Sequence, residues 1–178
     1  MRENAHRLPS RGRVLSLAEG EGRNAVYLAG LGFSVLAVDQ SAVGLEKARR
    51  LAAARRVSIE TQAADLADYS ITPGAWDGIV SIFCHVPPPV RRRLYRSAVS
   101  GLKPGGVLLL EAYRPAQLQF KTGGPPTADL LPTLAELKTE LAGLDFLHAV
   151  ETERNVVEGT FHTGRAAVVQ VAAVRPPA

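Results

Sequence analysis

The chain has 178 residues, 46% of them hydrophobic, and a formal net charge of +4. That length fits one domain, residues 1–178, around one substantial core, and the apolar content excludes disorder. No apolar run reaches the length of a bilayer span, so no membrane association is expected. The start, Met1-Arg2-Glu3-Asn4, lacks the apolar stretch of a signal peptide. The lone Cys84 rules out an intrachain disulfide and a multi-cysteine zinc site, so no metal and a reducing, cytoplasmic location are expected. The basic balance is a weak pointer to nucleic acid. Its densest runs, Arg49-Arg50 with Arg55-Arg56 and then Arg91-Arg92-Arg93, read as solvated helix faces, and no aromatics interleave with them to stack bases.

In chain order, Arg13-Val14-Leu15-Ser16-Leu17 is a short strand ending at the turn Glu19-Gly20-Glu21-Gly22. A helix follows with Ala25, Leu28 and Ala29 on one face, closing at Gly30 and Gly32. The next strand is 33–38, ending in Asp39, and Ser41 caps a helix from Ala42 to about Ala54. Val57 to Glu60 reads as a third strand before the loop 63–66. The run 78–83 is a buried strand introduced by Trp76-Asp77. Residues 90–100 are helical, Lys103-Pro104-Gly105-Gly106 is a sharp turn, and 107–111 is another buried strand. Thr133 and Glu136 have capping-box spacing at the start of a later helix. The end reads as a strand pair, about 146–157 and 166–174, with Gly159 and Gly164 in the connection.

Strands alternating with helices predict a doubly wound, mostly parallel α/β sheet covered on both faces, with an antiparallel hairpin at one edge. Ligands of such sheets sit at the carboxyl ends of the strands. That rule gathers Glu19 to Gly22, Asp39, Asp65 and Phe83 to His85 around one crevice.

Gly20-x-Gly22-x-x-Ala25 also fits a loose dinucleotide fingerprint, with Asp39 near the distance of a ribose-binding acid. Against a pyrophosphate stand Glu19 and Glu21, whose like charge opposes phosphate in that loop. S-adenosylmethionine (SAM) carries a sulfonium and an ammonium and no phosphate, so an acidic, glycine-lined turn suits it. Asp39 can accept from both ribose hydroxyls and Asp65 from the adenine amino group. As a strand-end loop residue, Asp39 is expected to be replaceable with little loss of stability.

The segments Val14 to Asn24, Val38-Asp39-Gln40-Ser41, Ala64-Asp65-Leu66 and Gly101 to Gly106 resemble successive motifs of class I methyltransferases. The subgroup most similar is the small bacterial one of tellurite-resistance and thiopurine methyltransferases. The resemblance extends to Glu153-Arg154 and to Glu158-Gly159-Thr160-Phe161-His162. It implies a seven-stranded Rossmann-like sheet with a reversed last hairpin, and SAM as methyl donor with S-adenosylhomocysteine as product. It also implies cofactor contacts from Ala18, Glu19, Gly20, Glu21, Gly22, Asn24, Asp39, Gln40, Ser41, Asp65, Leu66, Phe83 and Cys84. The family usually has an acid where this chain has Ser16 and a glycine where it has Ala18, and its N-terminal helical segment is represented only by Arg2 to Leu8.

Methyl transfer is an in-line displacement that rests on positioning, and a base is needed only for a protonated acceptor. The catalytic candidates are His162, which the resemblance associates with acceptor handling, and His85, which follows the buried fourth strand. Arg154 and Arg114 are candidates to hold the acceptor, with an Arg154–Glu158 pair as the structural alternative. The acceptor expected is a small molecule, such as a chalcogen or metalloid oxyanion or a thiol, and the protein a monomer or weak homodimer. The competing readings are an NAD(P)-dependent oxidoreductase, a SAM-binding protein without catalysis, and an RNA or protein methyltransferase.

Overall fold

The structure, a computed structural model, describes residues 2–120, 122–157 and 163–177. Its strands are β1 (Arg13–Leu17), β2 (Ser34–Asp39), β3 (Glu60–Ala63), β4 (Trp76–Ile82), β5 (Leu102–Tyr113), β6 (Asp145–Val157) and β7 (Thr163–Val174). The helices are α1 (Arg23–Gly30), α2 (Ala42–Ala54), α3 (Pro88–Gly101) and α4 (Leu134–Glu140). One seven-stranded sheet runs in the order β3-β2-β1-β4-β5-β7-β6. The first five strands are parallel, and β7 enters antiparallel between β5 and β6.

Burial on both faces explains the near-continuous apolar runs of the central strands. Leu15, Leu17, Ile79, Leu108 and Leu110 face one side, where Leu94, Tyr95 and Ala98 of α3 and Leu137 of α4 pack. Val14, Val80 and Leu109 face the other, against Ala25 and Leu28 of α1 and Leu45 of α2. Ala5 and Leu8, in and just after a 3-10 turn over Arg2–Arg7, close the second layer. Among the described residues no helix is long and apolar enough to cross a membrane.

Local signals set the helix starts. Ser41 Oγ accepts from the Gly44 N–H at 3.0 Å, and Thr133 with Glu136 forms a full capping box. The third strand lies three residues later than its sequence suggests. Val57 N–H still closes the end of α2 on Ala52, so pairing with β2 begins at Glu60. Being an edge strand, β3 is mostly exposed and carries no apolar alternation to reveal it. β5 is longer than 107–111. It pairs with Trp76 at Leu102, makes an excursion through Gly105 (φ +77°), resumes at Val107 and continues to Tyr113. Gly164 lies inside β7, while Gly159 falls outside the described residues.

The reading of Arg91-Arg92-Arg93 as a solvated face is corrected for Arg91. It is 1% exposed and shares one helix face with Leu94, Tyr95 and Ala98. Its Nε and Nη2 donate to the buried Glu140 at 2.9–3.1 Å, and Glu136 lies 3.3 Å from Nη2. Charge compensation across α3 and α4 is what admits this guanidinium to the core. Arg93 reaches the Leu66 carbonyl at 2.8 Å, and Arg92 is exposed.

Candidate functional site

At the end of β1 the chain turns sharply through Ala18 (φ +51°), Gly20 (φ +63°) and Gly22 (φ +90°). Gly22 is required twice over. Its φ disfavours a side chain, and a Cβ would stand 2.6 Å from the Ala48 Cβ of α2. At Gly20 a Cβ would meet nothing within 4 Å, so open space adjoins the backbone there. Between Ala18 and Gly20, Glu19 turns inward. Its Oε1 accepts the N–H groups of Asn24 and Ala25 at 2.9 Å each, and its Oε2 accepts the Ser16 hydroxyl. Two of the free donors in the first turn of α1, groups of the kind a pyrophosphate would seek, are thereby occupied. Burial pushes the Glu19 carboxyl above its ordinary value against the lowering effect of those three bonds. Glu21 points outward to Lys47 of α2 at 2.7 Å, and that bond holds its carboxyl below the usual value.

Asp39, the last residue of β2, braces this turn. Its Oδ2 accepts the Gly20 N–H and its Oδ1 the Ser41 N–H, both at 2.8 Å. The expectation that it is dispensable for stability is revised by these two bonds. After β3, Asp65 Oδ1 accepts the Ala67 N–H at 2.8 Å, forming a local Asx turn. Both acids line one cleft of about 310 Å³, together with Ala18, Gln40, Leu66, Phe83, His85 and Val86.

Beyond β4 the chain takes a second unusual step, with Phe83 at φ +54° and its N–H bonded to the Glu111 carbonyl at 2.7 Å. A bulky residue in the left-handed region marks a site where surrounding contacts outweigh local strain of about 1–2 kcal/mol. Here the Phe83 ring stacks on the fully buried Tyr113 at 4.5 Å between centroids, and His85 stacks on Tyr113 at 5.6 Å. His85 Nδ1 lies 3.1 Å from the Leu130 carbonyl, and its Nε2 faces the Tyr113 N–H at 3.4 Å. That pairing fits a neutral ring with its proton on Nδ1. His85 thus both lines the cleft and ties its loop to Leu130.

A separate cluster of charged and polar side chains lies on the sheet's reversed edge. Glu111 of β5, 3% exposed, accepts from Arg154 of β6 through Nε at 3.1 Å and through Nη2, and from Gln170 of β7 at 2.6 Å. Arg154 is therefore engaged by a buried carboxylate, while Glu158 and His162 lie outside the described residues. Arg114 approaches Glu151 at 3.8 Å, and its buried Nε has no hydrogen-bond partner among the described residues. Cys84 is buried, and burial pushes its thiol up to about 12.

Of the sequence-derived candidates, the structure brings Ala18, Asp39, Gln40, Asp65, Leu66, Phe83 and His85 to one cleft. Gly20 and Ser41 shape it through Asp39, whereas Glu19, Gly22, Asn24 and Cys84 support it from beneath. Sequence reasoning missed Val86 and the role of Glu111. Neither carries a motif, and an acid at the end of a buried strand was the one available signal for Glu111. A larger hollow of about 510 Å³ opens between α1 and α2, lined by residues such as Val26, Tyr27 and Leu51. It lies in the outer helical layer and holds no strand-end residue, so the smaller cleft is the one with the chemistry.

Residues 14–106, just over half the chain, match the family described as "Methyltransferase domain". No curated protein matches the chain significantly. Among solved structures it resembles TehB from Haemophilus influenzae, with a TM-score of 0.79 and 20% identity over 97% of this chain and 60% of that one. A SAM-dependent methyltransferase from Methanosarcina mazei gives 0.77 and 17%, over 97% and 96% of the two chains. The [4+2]-cyclase SpnF gives 0.77 and 16%, over 99% and 80%. At these identities the likenesses establish the fold.

Proposed function

The chain belongs to the methyltransferase domain family, and from that premise we propose that its cleft holds SAM and that the protein methylates a small molecule. The observation that carries this reading is the pair of cleft carboxylates, Asp39 and Asp65, beside a helix N-terminus where Glu19 already takes the Asn24 and Ala25 N–H groups. A cleft of that charge fits a cationic cofactor and opposes a pyrophosphate, which supports SAM over NAD(P). When bound, SAM supplies an electrophilic methyl group on a sulfonium.

The chain's own residues do the rest. Asp39 and Asp65 offer acceptors for ribose hydroxyls and the adenine amino group, and Leu66 and Val86 supply apolar walls. Phe83 and His85 form a fixed aromatic wall backed by Tyr113, which orients an acceptor and excludes water. His85, with both ring nitrogens facing backbone groups, acts as a wall and anchor. Acceptor handling by His162 and Arg114 stays part of the proposal. The acceptor proposed is a small molecule such as a thiol or a chalcogen or metalloid oxyanion.

Titration calorimetry with S-adenosylhomocysteine and, in parallel, NAD tests the cofactor. Micromolar binding of the former alone is expected; binding of NAD alone overturns the reading. With binding established, turnover on small thiols, selenite, tellurite and arsenite tests the acceptor class. SAM binding without turnover on any acceptor would favour a non-catalytic SAM-binding protein.

A further inference from the structure

The basic run of α2 divides into two kinds of arginine. Arg49 and Arg50 pair with Glu46 at 2.7 and 3.1 Å. Arg55, which caps the end of α2, forms no ion pair among the described residues, and neither does Arg23, which opens α1. The charge of Arg23 acts on Glu21, but that carboxylate is already bonded to Lys47. Arg23 and Arg55 both line the hollow of about 510 Å³ between α1 and α2, whose walls include Val26, Leu31, Leu51 and Val57.

A second hollow of about 490 Å³ adjoins the first across Tyr27 and Leu31, which line both, and Arg11, Leu8 and Phe33 border it. Leu31 is 51% exposed between the two, an apolar side chain with open space on either side. At Gly30, the last residue of α1, a Cβ would meet nothing within 4 Å. Each hollow has the size of a small-molecule site, about 300–1,000 Å³. Among the described residues lining them, the charged side chains are all arginines and none is acidic. Apolar walls with charge of one sign complement an apolar body that carries an acidic head. The groove shares no lining residue with the cleft that holds Asp39 and Asp65.

We propose that the α1–α2 groove is a second binding site, for an aliphatic carboxylate. The hydrocarbon chain lies against Val26, Leu31, Leu51 and Val57, and the carboxylate accepts from a guanidinium of Arg23 or Arg55. This site stands independently of what occupies the cleft.

Calorimetric titration with decanoate, decylammonium and decanol, all below micelle-forming concentrations, tests it. Saturable one-to-one binding of decanoate is expected, at least about tenfold tighter than that of decylammonium, which has a chain of the same kind and the opposite charge. Arg23→Gln combined with Arg55→Gln removes both cations. It should weaken decanoate about tenfold and leave decanol unchanged. Gly30→Trp fills the open space with a side chain and abolishes decanoate binding. Because Gly is a poor helix residue, its Tm should not fall, which shows that the fold is kept.

Unchanged decanoate affinity in the folded double arginine variant overturns the proposal. So does unchanged affinity in Gly30→Trp, which would place decanoate elsewhere on the protein. Absence of saturable decanoate binding to the parent also overturns it, and would leave the groove to an acidic helix of a partner protein.

Discussion

Asp39→Ala is the perturbation on which both the architecture and the proposed site depend. It removes two acceptors at once, leaving the N–H groups of Gly20 and Ser41 without their 2.8 Å partners. A hydrogen bond to a charged group is worth about 1.5–3 kcal/mol when buried. Asp39 is half-buried, the Gly20 bond partly buried and the Ser41 bond exposed, so water recovers much of each loss. We expect a net destabilisation of about 2 kcal/mol, which for a chain of this size lowers Tm by about 4–8 °C. Loss of the ribose acceptor weakens S-adenosylhomocysteine binding at least about tenfold, or ~1.4 kcal/mol.

Calorimetric titration, with thermal unfolding followed by circular dichroism, reads both quantities. Thr133→Ala is the control. It removes the α4 cap on Glu136, costing about 1 kcal/mol, while leaving the cleft and both its carboxylates in place, so affinity should hold. Unchanged affinity in folded Asp39→Ala removes Asp39 from the site. An unchanged Tm refutes the bracing role of its two bonds.

Arg91→Met should cost about 3–5 kcal/mol, because Glu140 is left charged in the core, whereas Arg91→Met with Glu140→Leu recovers most of it. Urea unfolding decides, and a double variant no more stable than the single one refutes the pairing argument. Gly22→Ala should cost about 3 kcal/mol, from the left-handed backbone and the overlap with Ala48, whose backbone cannot withdraw. A loss below 1 kcal/mol in the same assay would show that α1 and α2 separate easily. Cys84, buried and with its thiol pushed up to about 12, should resist iodoacetamide at pH 8 in the native state and react in urea. Rapid native labelling would contradict its burial.

The sequence alone was sufficient for the order of strands and helices, the caps at Ser41 and Thr133, and an antiparallel terminal hairpin. Those features are local: they follow from apolar periodicity, side chains that satisfy helix donors, and the turn chemistry of glycine. The strand-end rule likewise gathered Asp39, Asp65, Phe83 and His85, because a parallel sheet brings its carboxyl ends to one edge.

What needed the tertiary structure was the direction each charged side chain takes. Two glutamates flanking one glycine look equivalent in sequence. Yet Glu19 is drawn beneath α1 by unpaired N–H groups, and Glu21 is drawn out to Lys47. Arg91 resembles its exposed neighbours until Glu140, 49 residues away, supplies the opposite charge that makes burial possible. Arg154 likewise meets Glu111 only because β7 carries β6 to that edge of the sheet. Partners far apart in the chain decide such outcomes, and local pattern holds no record of them.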